Sequence, residues 1–129
     1  MPLVAIARIL AVAWVVLSAG VYFLMLNGFT PQQALILLLW VAAPLPLAYW
    51  IGSRLAATVS AWVAIVVGLA LAFAFGAWLY WDAFLGPSSR TESLSGLVVL
   101  HGPLYQAVIL AIALLAAWRL SRPGVRSAA

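Results

Sequence analysis

The sequence predicts an all-α, polytopic membrane protein: four transmembrane helices in a single integral domain, with the N and C termini cytoplasmic. Three observations carry this. The 129 residues are 68% hydrophobic and 6% charged, against about 45–50% and about 25% in soluble domains. A compact soluble fold of this size would leave much of that apolar surface in water. Four apolar stretches, at 3–26, 31–52, 55–81 and 96–118, each approach or exceed the roughly 20 residues a bilayer crossing needs. All six cations are arginines, and a four-span topology puts Arg8, Arg54, Arg119, Arg122 and Arg126 on one face and Arg90 on the other. Such an excess marks the cytoplasmic side.

The first stretch, "LVAIARILAVAWVVLSAGVYFLML", is interrupted by Arg8, which lies close enough to the chain start to snorkel to the headgroups. A cation, an apolar run and "SAG" at 18–20 also fit a cleaved signal peptide. Tyr22 to Leu26 prolong the run and no soluble domain follows, so an uncleaved span is expected. In "NGFTPQQ", residues 27–33, Gly28 stops one helix; Thr30 caps the next, with Pro31 first in the helix and Gln33 as the reciprocal capping partner. The second stretch holds Pro44 and Pro46, which deny donors to the carbonyls of Trp40 and Ala42 and predict a mid-membrane kink. "GSR" at 52–54 reads as a tight turn, making the second and third spans an antiparallel hairpin.

In the third stretch Ala56, Ser60, Ala64, Gly68, Ala72 and Gly76 recur at steps of four, an extended small-xxx-small row. Small side chains let a neighbouring helix approach closely, which is how helices associate in lipid. The neighbour is either another span of the same chain or a second copy. Ala, Gly, Ser and Thr make up 12 of the 25 residues from Leu55 to Leu79, so composition alone accounts for part of the row. The link 82–95 carries Ser89 and Glu92 at capping-box spacing, which starts the fourth helix near Arg90. From there to Leu120 is about 46 Å at about 1.5 Å per residue, so this helix tilts, projects or breaks. The tail, 119–129, carries Arg119, Arg122 and Arg126, which favour anionic lipid headgroups over nucleic acid at a formal charge of +4.

Reaction chemistry is sparse. Cysteine is absent, and Asp82 and Glu92 are the only acids. No phosphate loop, nucleophile motif or metal-ligand spacing is present, so no cofactor, no metal and no enzymatic activity are expected. "GLVVLHGPLYQ", residues 96–106, holds the single histidine. Counting back about 20 residues from Arg119 places His101 near the outer interface. Pro103 denies a donor to the carbonyl of Val99, and Gly102 eases a bend. Tyr80, Trp81, Asp82, Glu92, His101, Tyr105 and Gln106 are expected in one polar and aromatic layer at the outer side. One histidine without a second ligand gives no metal or haem pair. The stretch reads as a bend at a wet interface before it reads as an active centre.

In size and span count the chain resembles small four-helix exporters of the small multidrug resistance type. It lacks their glutamate in the first span, where only Arg8 stands, so no binding residue carries over. "SLSGLVVLHGPLYQ", residues 93–106, is similar to a segment of uncharacterised small bacterial four-helix inner-membrane proteins. That likeness covers 14 of 129 residues and implies a bacterial inner-membrane location, with no activity attached. The functional expectation is a non-enzymatic integral membrane protein acting through helix packing, as a homo-oligomer or as an accessory subunit of a larger complex. The alternative is a small dimeric transporter or channel with an outward-facing site near His101.

Overall fold

The computed structural model describes residues 2–25, 30–84 and 92–122, with side chains described for most of these but not for 24, 25, 83, 84 or 92–100. The described elements are α-helices: α1 (Pro2–Met25), α2 (Pro31–Ala42), α3 (Pro44–Leu55), α4 (Val59–Phe84) and α5 (Glu92–Leu120). Because α2 and α3 run on from each other, these elements make four helices long and apolar enough to cross a membrane. This architecture suits a multi-pass membrane protein.

The spans close into a ring. α1 packs on α4, α4 on α5, α5 on α2 and α3, and α2 and α3 back on α1. The buried face of each span is rich in small residues. In α1 it is Ala7, Ala11, Trp14, Ser18 and Val21, alternating steps of four and three. That is the spacing of a left-handed helix seam. Large apolar side chains point outward instead, among them Ile9, Val16, Phe23, Ile36, Leu39, Trp78 and Ile112, each more than half exposed. Small residues between helices and large ones around them is the arrangement expected where the surroundings are lipid.

Local chemistry sets the ends. The Thr30 capping box forms as read: Thr30 Oγ1 accepts from the Gln33 N–H at 3.3 Å, and Gln33 Oε1 accepts from the Thr30 N–H at 3.2 Å. The two prolines do more than kink the second span. They divide it at Ala43 into α2 and α3. Pro103, by contrast, lies inside α5, which runs on through it.

Three boundaries differ from the sequence reading. Gly52–Arg54 is no turn, since α3 continues to Leu55 and the chain turns at 56–58. Gly52 lies within that helix, and its lack of a side chain makes room for Ile65, whose Cδ1 lies 2.7 Å from where a Cβ would sit. The third span accordingly starts at Val59, not Leu55, with Thr58 as its cap: the Ala61 N–H donates to Thr58 Oγ1 at 3.1 Å. Ala56 therefore ends α3 and drops out of the small-residue row. Asp82 lies within the last turn of α4 rather than in a link. The Ser89–Glu92 capping box, Gly28, Arg90 and Arg126 lie outside the described residues or side chains.

Candidate functional site

α4 and α5 run antiparallel, and the small-residue row is the seam between them. Gly68 abuts Ala113, and Gly76 abuts Gln106 and the Trp14 ring, closely enough that no Cβ fits at either glycine. The reverse fit lies one turn further along, where Tyr80 of α4 fills the notch at Gly102 of α5, its Oη 2.7 Å from a Cβ there. Ala72 and Gly76 are buried, Ala64 is half-buried, and Ser60 is exposed. The row thus meets α5 along its inner part, inside the monomer.

The four spans meet at Trp14, which is 1% exposed. Its Nε1–H donates to the carbonyl of Val41 at 2.9 Å, beside the break between α2 and α3. A buried indole N–H needs an acceptor, and a backbone carbonyl of the neighbouring span supplies it. Ser18 Oγ donates back to the Trp14 carbonyl at 2.8 Å. The Trp14 ring stands edge-on to Phe73 at 5.7 Å and tilted against Tyr80 at 6.0 Å. From the other side comes Gln106, fully buried, whose Nε2 donates to the Ala72 carbonyl at 3.0 Å. That bond fixes the amide, because only an N–H can face a carbonyl. Gln106 Oε1 and Tyr80 Oη, both buried, have no hydrogen-bond partner among the described residues.

The expected outer layer is divided by this geometry. Gln106 and Tyr80 face inward. His101 and Tyr105, with Leu104 and Val108, lie on the exposed side of α5, where Tyr105 stands edge-on to Phe75 at 6.0 Å. Asp82 is half-buried at the end of α4, Trp81 is exposed, and both Asp82 and His101 make interactions of their own. Glu92 opens α5, and its side chain is outside the description. Among the described residues no three His, Cys, Asp or Glu side chains gather in a way that could hold a metal. Trp14 is the residue that sequence reasoning missed. Its signal was the step-of-three-and-four series from Ala7 to Val21.

At the end carrying the termini, the 56–58 turn is tied to the end of α5. The Ala57 N–H donates to Ser121 Oγ at 3.0 Å, and Thr58 Oγ1 donates to the Leu120 carbonyl at 3.4 Å. Arginines here lean on aromatic rings. The Arg122 guanidinium sits 3.6 Å from the Trp118 ring centre and that of Arg54 sits 5.1 Å from Trp50. Arg8 Nε donates to Tyr49 Oη at 3.3 Å.

No protein-family model matches the chain, and neither a curated protein nor a solved structure is significantly similar to it. No residue role is therefore carried over from a relative.

Proposed function

We propose that this chain is a non-enzymatic protein of the bacterial inner membrane that acts through packing of its helices, as an oligomer or as an accessory subunit of a membrane complex. The observation that carries the reading is the filled interior. Trp14, Leu69, Ala72, Gly76 and Gln106 close the space between the spans, which leaves the large apolar outer surface as the means of interaction. Cytoplasmic termini are supported by the arginine bias, and the bacterial location by the likeness of residues 93–106. Arg119, Arg122 and Arg126 would face anionic headgroups on that side. Purification in mild detergent followed by native mass measurement tests the proposal. A stoichiometric partner or a defined homo-oligomer is expected, and a bare monomer from native membranes contradicts it.

The second reading, a small dimeric transporter or channel opening near His101, is favoured by one observation. Gln106 Oε1 and Tyr80 Oη are buried polar atoms awaiting a partner, and polar groups within a span often mark a pathway. Gln106→Leu separates the two readings. Flux in reconstituted vesicles would vanish in a transporter. A packing protein would keep its assembly, with stability changed by less than about 1 kcal/mol because the unpaired oxygen goes together with the bond.

A further inference from the structure

A second interhelical contact of α5 stays open. Between α3 and α5 lies a groove of about 260 Å³ whose lining is apolar throughout, including Pro44, Leu47 and Ile51 on one wall and Pro103, Ala111 and Leu114 on the other. The prolines and alanines leave it unfilled, and Leu47 is half exposed at its rim. From Pro103 to Leu114 the wall runs roughly 17 Å. One leaflet of a hydrocarbon core measures about 15 Å.

The groove points at cations. One turn beyond Ile51, toward the end carrying the termini, α3 presents Arg54, held against Trp50. One turn beyond Leu114 comes Trp118, and stacked on it Arg122. The ties from Ala57 to Ser121 and from Thr58 to Leu120 hold these two helix ends together. Asp82 and Glu92, the chain's only acids, belong to the opposite end of the bundle. No acidic side chain of this protein lies at that end.

We propose that this groove binds an anionic glycerophospholipid, with one acyl chain lying along α3 and α5 and the phosphate between Arg54 and Arg122. The site rests on the membrane-spanning reading given above. Each half supplies what the other lacks. The groove accepts any acyl chain, and the arginines select a headgroup with net negative charge. Guanidinium pairs with phosphate in a planar, two-pronged fashion, and stacking on tryptophan orients each fork before the lipid arrives.

The test uses the full-length protein in vesicles of phosphatidylcholine mixed with phosphatidylglycerol of the same acyl chains, followed by native mass spectrometry of the lipid retained. Wild type is expected to keep phosphatidylglycerol in preference to phosphatidylcholine. Arg54→Ala with Arg122→Ala should cut that preference about tenfold or more. Ala111→Phe, which fills the groove and leaves both arginines, should cut retention of either lipid. Full preference in the double-alanine variant, or unchanged retention in Ala111→Phe, would overturn the site. Alkaline carbonate extraction of membranes expressing the wild type reads the membrane-spanning assignment separately. Extraction of the wild type would overturn both, whereas a firmly inserted wild type whose variants keep full lipid preference would overturn the lipid site alone.

Discussion

The two sides of α5 use the same kinds of residue to opposite effect. Toward α4, small residues meet a matching projection at each step: Gly76 takes Gln106, Gly102 takes Tyr80, and Gly68 takes Ala113. Toward α3, Ala107 and Ala111 meet Ala43, Pro44 and Ala48, and a groove remains. Small side chains permit close approach, but they produce it only where the facing helix supplies something to fill the space. A glycine row in a sequence therefore marks where helices can close, and the complementary knobs decide where they do.

Substitutions on the two sides should separate sharply. Gly76→Ala has the largest expected effect, a loss of about 3 kcal/mol at the upper end of overpacking costs. The new methyl meets Gln106 and Trp14, and both are fixed by hydrogen bonds to Ala72 and Val41. Reversible denaturation in mixed micelles measures it. Trp14→Phe comes next. Its ring still fills the junction, but the Val41 carbonyl loses the indole donor, which should cost about 2 kcal/mol by the same assay. The smallest change belongs to the open side, where Ala107→Leu adds more atoms than Gly76→Ala and should shift stability by less than about 0.5 kcal/mol. If Ala107→Leu proved as costly as Gly76→Ala, the contrast between the two sides would be lost.

Much of this was legible in advance, and the failures share a cause. Apolar length announced the four spans, and Thr30, Pro31 and Gln33 announced the start of α2, because capping chemistry is local. Gly52, Ser53 and Arg54 looked like a turn since glycine and serine usually punctuate. Yet Gly52 sits inside a helix, and its bare Cα makes room for Ile65 of the next span, a contact that no local signal announces. The outer cluster shows the same limit. His101, Leu104, Tyr105 and Val108 share one face of α5, but spacing alone cannot say that this face looks outward while Gln106 looks in. In a span that is apolar all round, the lipid-facing and partner-facing sides are both hydrophobic, so periodicity carries little of that information. Trp14 was hard to single out for the same reason, because the three-and-four series that carries it runs among residues as apolar as itself.

Because the chain has no cysteine, a disulfide introduced across the α4–α5 seam can be read without interference. Gly68→Cys combined with Ala113→Cys, oxidised mildly in native membranes, tests the central claim that the small-residue row is closed within one molecule. A Cβ at Gly68 would overlap that of Ala113, and a bridge needs Cβ atoms about 3.8 Å apart, so the two helices must part by roughly an ångström or more for the bond to close. Rapid cross-linking within the monomer is expected, with no change in molecular mass on denaturing gels and loss of both free thiols. A covalent dimer would move the seam to a contact between copies, and two thiols that stay free would contradict the α4–α5 pairing itself.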